Sequence, residues 1–175
     1  MVTKMTRGRL AEAWSALASV PDPEIPVLSI VDLGIVRSVA RDGDSVAVTV
    51  TPTYSGCPAT ELISTSIRES LARAGFPDAR IDIVLSPPWS TDWIGEEGKR
   101  RLREFGIAPP GSAVRGTSWI DVRGISPLRR TGAVVPCPRC ASHRTRLTAQ
   151  FGSTACKALY RCDDCLEPFD YFKPH

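Results

Sequence analysis

Apolar residues recur at Leu10, Ala13, Trp14 and Leu17, the i, i+3, i+4, i+7 spacing of one helical face, and predict an amphipathic helix over 10–20. The next segment, Pro21-Asp22-Pro23-Glu24-Ile25-Pro26, breaks that period. Three prolines within six residues exclude helix and predict an extended loop. From Ile35 the period falls to two: Ile35–Ala40 and Val46–Val50 read as strands joined across Asp42-Gly43, with Val46, Val48 and Val50 facing a core. A second helical stretch over 58–74 places Leu62, Ile63, Ile67 and Leu71 on its buried side. Pro58 sits at its first position, Gly75 lies just past its end, and Cys57 becomes its N-cap. Ile81, Ile83 and Leu85 alternate as a third strand that Pro87-Pro88 ends, and a last helix over Glu96–Phe105 closes at Gly106. The predicted fold class is α/β, a small mixed-sheet α/β sandwich followed by a small four-cysteine, zinc-ribbon-like domain.

Charge divides the chain further. Residues 1–108 carry 12 basic and 14 acidic side chains, residues 109–131 carry 4 and 1, and residues 132–175 carry 6 and 4. The basic excess thus lies outside the larger domain. Residues 109–131 mix Gly, Pro, Ser and isolated Arg without periodicity, which marks a linker between a domain at 1–108 and a second at 132–175. Arg115, Arg123, Arg129 and Arg130 give that linker a surface able to steer an acidic partner. No apolar run approaches the roughly 18 residues needed to cross a bilayer, and Glu12 interrupts the one stretch that imitates a secretion signal. A cytoplasmic protein that does not engage a membrane is expected.

The strongest chemical signal is at the C-terminal end. Cys137-Pro138-Arg139-Cys140 and Cys162-Asp163-Asp164-Cys165 are two CxxC pairs, and two such turns face to face supply a tetrahedral four-sulfur site. The spacer from Ala141 to Arg161 exceeds the usual ribbon window of roughly 15–20 residues by one, which a hairpin loop absorbs. Structural zinc is the expected occupant. An iron–sulfur cluster on the same four thiolates and two disulfides are the alternatives, and a reducing compartment disfavours the disulfides. Cys156 reads either as an extra ligand, with Lys157 favouring its thiolate, or as a buried apolar residue. Phe169, Tyr171 and Phe172 are expected to pack against the first domain.

Cys57 is the one cysteine outside the ribbon. At a helix N-terminus its thiolate would be favoured, suiting a metal ligand or nucleophile, although a buried cysteine also serves as a small apolar filler. Asp22, Glu24 and Asp32 add carboxylates on flanking loops, and Thr53 and Tyr54 bring hydroxyls to the same loop as Cys57. No Cys–His dyad, G-x-S-x-G elbow or GxxxxGK[ST] phosphate loop is present, so the residues point away from an enzyme.

The stretches DPEIPVLSIVDLGIV (Asp22–Val36), PTYSGCPA (Pro52–Ala59) and SPPWSTDWI (Ser86–Ile94) closely resemble the domain found in cytosolic iron–sulfur assembly factors and in SufT. EEGKRRLREFGIAPP (Glu96–Pro110), GSTACKALYRC (Gly152–Cys162) and EPFDYFK (Glu167–Lys173) resemble the PaaD (also PaaJ) family of the aerobic phenylacetate pathway. The resemblance covers nearly the whole chain. One departure is that Pro174 and His175 follow Lys173, where that family often ends with a cysteine. The resemblance implies an accessory component of the multicomponent phenylacetyl-CoA epoxidase, acting in metal-centre or iron–sulfur maturation, with the epoxidase subunits or their iron–sulfur reductase as partners. It carries functional positions onto Asp22, Glu24, Thr53 and Cys57. The alternatives are a non-catalytic subunit docking on the oxygenase and a nucleic-acid-binding ribbon, the latter poorly supported by a net charge of +2 without interleaved aromatics.

Overall fold

The structure, a computed structural model, describes residues 7–54, 56–111 and 135–174. They fall into two compact units, one ending at Phe105 and the other running from Gly106 to Pro174. The expected steering arginines of residues 109–131, and His175, lie outside the described residues.

In the first unit helix α1 spans Arg7–Ala18, strands β1 and β2 span Val36–Asp42 and Ser45–Val50, helix α2 spans Thr60–Arg73, strand β3 spans Arg80–Ile83 and helix α3 spans Glu96–Phe105. The three strands form one sheet in the order β1-β2-β3, with β1 antiparallel to β2 and β2 parallel to β3. The hairpin closes through Gly43 and Asp44, since Asp42 pairs with Ser45, and Gly43 takes φ +59° as a two-residue turn requires. Val46, Val48 and Val50 are buried as their alternation predicts. So are Ala13 and Leu17 of α1, and Ile63, Ile67 and Leu71 of α2.

Three expectations need correction. Leu62 is exposed, because it sits one residue off the stripe that Ile63, Ile67 and Leu71 define at helical period. Ile83 and Leu85 are exposed too: β3 is the outer strand of the sheet. The proline-rich segment is no extended loop. Proline fixes its own φ but also favours the second position of a turn, and Ile25-Pro26-Val27-Leu28 makes such a turn, with the Leu28 N–H donating to the Ile25 carbonyl at 2.9 Å. Pro21 then bridges Ser29, and Ile25, Leu28 and Ile30 enter the core.

The second unit is a four-stranded sheet, β4-β7-β6-β5, in which β4 is Ile107–Ala108, β5 Thr145–Ala149, β6 Lys157–Cys162 and β7 Pro168–Phe172. Ile107 and Ala108 pair in parallel with Asp170 and Tyr171, so these two residues, expected at the end of the first domain, belong to the ribbon sheet. Phe169 and Tyr171 likewise serve the ribbon's own core, with Ala108, Val135 and Ala158, and Tyr160 packs its ring on both.

Gly34 carries the tightest steric demand in the first unit. Its φ is +68°, and a Cβ there would lie 2.7 Å from the Trp93 Cβ and 3.0 Å from the Trp93 carbonyl. Gly43 shares the left-handed conformation but faces open space. Gly43→Ala should therefore cost only backbone strain, about 1 kcal/mol, whereas Gly34→Ala adds overpacking and should cost about 2–4 kcal/mol. Urea unfolding of both variants checks this, and equal losses would mean that Trp93 does not press on Gly34.

Candidate functional site

The loop that leaves β2 holds Thr51, Pro52, Thr53, Tyr54, Gly56 and Cys57 before α2 begins at Thr60. It is tied at its end by the Cys57 N–H, which donates to the Tyr54 carbonyl at 3.2 Å. Cys57 is not the helix N-cap. Ala59 occupies that position without a side-chain cap, because Pro58 and Ala59 form a turn ahead of the helix. The Thr60 hydroxyl donates back to the Cys57 carbonyl at 2.9 Å.

The thiol's ionisation also differs from expectation. Burial pushes the half-buried Cys57 thiol up from its ordinary value; the Ala59 N–H and the Thr60 hydroxyl pull it down, and the charges of Glu24 and Asp22 push it up again. The helix N-terminus is outweighed by loss of water and by two carboxylates. Sequence spacing could not have shown this, since Asp22 and Glu24 lie more than thirty residues from Cys57 along the chain.

The fold thus brings Cys57 within the field of Asp22 and Glu24, but the two acids do different work. Asp22 is buried, and its Oδ1 accepts the backbone N–H groups of Glu24 at 2.9 Å and Ile25 at 2.8 Å, closing the proline-rich turn. Glu24 is half-buried. Asp32 is structural: Ser29 and Asp32 cap each other through reciprocal 3.0 Å bonds, and Arg101 pairs with Asp32 at 3.1 Å. Thr53 and Tyr54 line a cavity of about 340 Å³ with Thr51, Pro52, Leu85, Pro88 and Trp89. Leu85 and Trp89 were missed at the sequence level, for only the parallel β2–β3 pairing puts the two loops side by side.

In the ribbon, Cys137, Cys140, Cys162 and Cys165 converge with all four sulfurs within 4.8 Å of one another. The Cys137–Cys165 and Cys140–Cys162 sulfurs are 3.7 and 3.5 Å apart, close to the edge of about 3.8 Å that a tetrahedron with metal–sulfur bonds of about 2.3 Å requires. Both knuckles follow one plan. The Cys137 N–H donates to the Ser142 carbonyl at 2.9 Å as the Cys162 N–H does to the Glu167 carbonyl at 3.0 Å, and Ala141 and Leu166, each just past the second cysteine of its pair, take φ +60° and +63°.

Backbone N–H groups of Cys165 and Asp164 help to draw the Cys162 thiol down to about 7. At Cys165 the Glu167 N–H also pulls down, but burial and the neighbouring thiols outweigh it and push the group up to about 12. Four thiols this close cannot all ionise unless a cation joins them, so the donor set fits one soft, tetrahedral metal ion. Arg144 and Arg146 pair with Asp164 at 2.8 Å and Asp163 at 3.5 Å, steadying the second knuckle. Cys156 is no part of this group: it is buried on the hairpin, 3.1 Å from the Thr154 hydroxyl.

Comparison with known proteins matches residues 10–83 to the family described as iron-sulfur cluster assembly protein and residues 125–173 to the PaaD zinc beta ribbon domain. A protein of Escherichia coli (strain K12), named as a subunit of 1,2-phenylacetyl-CoA epoxidase, is 50% identical over 162 residues, covering 93% of this chain and 91% of its own. An Fe-S protein maturation auxiliary factor of Porphyromonas gingivalis is 36% identical over 88 residues, 49% of this chain and 83% of its own. Among solved structures, the crystal structure of a domain of unknown function, DUF59, from Bacillus anthracis superposes with a TM-score of 0.51 at 28% identity, covering 54% of this chain and 92% of that one. Assembly-type domain, four-thiol ribbon and near full-length likeness coincide in one chain, and the protein belongs to the PaaD family.

Proposed function

We propose that this protein is an accessory maturation factor for a phenylacetyl-CoA epoxidase, acting in metal-centre or iron–sulfur assembly. The observation that carries the reading is the 50% identity with the Escherichia coli epoxidase subunit along 93% of the chain, joined to an assembly-type domain over residues 10–83. Its partners are then the epoxidase subunits or their iron–sulfur reductase, and its place is the cytoplasm where that system works. Among the described residues no helix is long and apolar enough to cross a membrane.

Within this reading Cys57 is the group that receives cargo, Glu24 and Asp22 set the charge around it, and Thr53 shapes the loop. A thiol whose ionisation is suppressed by burial and by nearby carboxylates stays protonated when empty. It gives up its proton when a soft metal ion arrives. Cys57 is the only cysteine before Cys137, so the first unit offers one thiolate where a cluster takes four. The remaining ligands must come from donor or client, which suits passing cargo on and does not suit storing it. Zinc held by Cys137, Cys140, Cys162 and Cys165 would be structural, because four protein sulfurs would fill a tetrahedral site and leave no position for chemistry.

Cys57→Ser should keep the fold, since the thiol caps no helix and serine is nearly isosteric, with a stability change of about 1 kcal/mol or less. Maturation of the epoxidase should be lost, because a neutral hydroxyl is a poor ligand for soft metals. Normal epoxidase activity in a strain carrying this variant would remove Cys57 from the mechanism. Glu24→Gln should move the pH at which Cys57 becomes alkylated downward, as a charge that opposes the thiolate is gone; iodoacetamide rates against pH measure it, and an upward move would contradict the sign.

Chelation should unfold the ribbon while leaving the first unit folded. A unit of fewer than 70 residues has little core, and metal-binding energy there becomes folding energy. Amide resonances of residues 137–172 should collapse toward random-coil values while those of 10–83 stay dispersed. Elemental analysis of the purified protein should give one zinc per chain, and a brown, iron-containing sample would refute the assignment.

A further inference from the structure

The two cysteine knuckles of the ribbon are joined by more than their sulfurs. Sheet pairing sets Thr145 opposite Cys162, and the Asp163 N–H donates to the Arg144 carbonyl at 2.8 Å, so the segment leaving the first knuckle lies against the start of the second. Side chains complete the link. Ser142 Oγ donates to Asp164 Oδ2, and Arg144 Nη1 lies 2.8 Å from Asp164 Oδ1. Each oxygen of one carboxylate in the second knuckle is thus held by a residue that follows the first. The Arg144 N–H donates to Ser142 Oγ at 3.0 Å, which engages the hydroxyl as acceptor and leaves its proton for Asp164.

The same two residues also hold sulfur. The Ser142 backbone N–H bonds the Cys140 thiol, and the Asp164 backbone N–H bonds the Cys162 thiol. Cys140 and Cys162 are a pair whose sulfurs lie 3.5 Å apart. The side-chain contact between Ser142 and Asp164 therefore ties the backbone that holds one sulfur to the backbone that holds the other. Ser142 closes its own knuckle as well, since its carbonyl accepts the Cys137 N–H at 2.9 Å.

Exposure decides what this link can do. The side chains of Arg144 and Asp164 are 75% and 41% exposed, and so wet an ion pair contributes little to folding. What it sets is distance, because a carboxylate gripped at both oxygens stops two tight turns from sliding past each other. Distance matters because four thiolates admit two kinds of occupant. A single ion takes all four sulfurs on one centre and needs them as close as they stand here, within 4.8 Å of one another. A polynuclear iron–sulfur cluster spreads its cysteines over different irons with bridging sulfide between them, and needs the knuckles farther apart.

We propose that Asp164, through Ser142 and Arg144, is a positioning residue that locks the two knuckles at the separation of a single-ion site and so selects one zinc ion over an iron–sulfur cluster. The inference rests on the zinc reading of the four-thiol site given above and is independent of Cys57.

The test uses the full-length protein with Asp164→Ala, Ser142→Ala, the two together, and Ser142→Thr, which keeps the hydroxyl. Asp163→Ala is the control, because the Asp163 carboxylate pairs with Arg146 on β5 at 3.5 Å. Zinc release to excess chelator, followed with a coloured zinc indicator, should be about tenfold faster in either alanine variant. The double variant should release zinc no faster than Asp164→Ala alone, since both changes cut one link. Ser142→Thr and Asp163→Ala should stay within about twofold of the unaltered chain. Anaerobic incubation of the zinc-free chains with ferrous iron and sulfide separates positioning from mere support. The unaltered chain should take up iron without acid-labile sulfide, whereas Asp164→Ala should gain labile sulfide and the visible absorption of a cluster. A link that only supported the fold would weaken every metal alike and leave the sulfide content unchanged. Unchanged zinc release in both alanine variants, or faster release with no gain of sulfide, would overturn the proposal while leaving the zinc reading standing. Equal labile sulfide in the unaltered chain and in Asp164→Ala would overturn the zinc reading, and the proposal with it.

Discussion

The parallel pairing of β2 with β3 is the constraint on which the first unit's chemistry depends. Parallel neighbours need a crossover, and α2 supplies it, burying Ile63, Ile67 and Leu71 as it returns the chain to the far end of the sheet. Because both strands point the same way, the loops after Val50 and Ile83 emerge together. Antiparallel pairing would have put the Tyr54–Cys57 loop and Trp89 at opposite ends. The buried stripe of Val46, Val48 and Val50 fixes the register, and a slip by one residue would turn all three to the other face.

The two kinds of cysteine site answer to opposite electrostatics. In the ribbon, four thiols crowd so closely that one, Cys162, is drawn down by backbone N–H groups while another, Cys165, is forced up. A bound cation would let all four ionise together, and the site and its metal would then form together. Cys57 has no second thiol within its unit and is opposed by two carboxylates. The backbone of Cys57 is tied through protein groups: its N–H donates to the Tyr54 carbonyl, and its carbonyl accepts the Thr60 hydroxyl. Under the proposed function, the structural site and the transfer site would differ in dependence on a metal more than in the identity of their ligands.

Much of this was legible in the sequence, in uneven fashion. Strict alternation at Val46, Val48 and Val50 and the stripe Ile63, Ile67, Leu71 located β2 and α2, because burial on one face writes its own period. CxxC spacing located the ribbon metal group, since two thiols on one tight turn are a local property. What could not be read were relations between distant segments. The mixed sheet was foreseen, but β3 as its outer strand, which leaves Ile83 and Leu85 exposed, depends on which strand lies beyond it. Ile107 and Ala108 look like the end of α3's domain and are in fact the edge of the ribbon sheet, a pairing with residues more than sixty positions away. Phe169 and Tyr171 seemed too many aromatics for so small a unit until β4 and Val135 completed its core.

Asp22 and Glu24 show how one short motif divides two duties. Asp22 gives an oxygen to two backbone N–H groups, and without that closure the proline-rich turn could not carry Ile25 and Leu28 into the core. The same closure fixes where the backbone of Glu24 lies, and hence how its charge reaches Cys57. A carboxylate beside a thiol raises the cost of an empty thiolate and repays it when a cation binds, since the same negative charge that opposed ionisation then attracts the ion. Under the proposed function this loop would make Cys57 a conditional ligand, held toward the neutral thiol while vacant by burial and by the charges of Glu24 and Asp22, and ionised only when a cation offsets them.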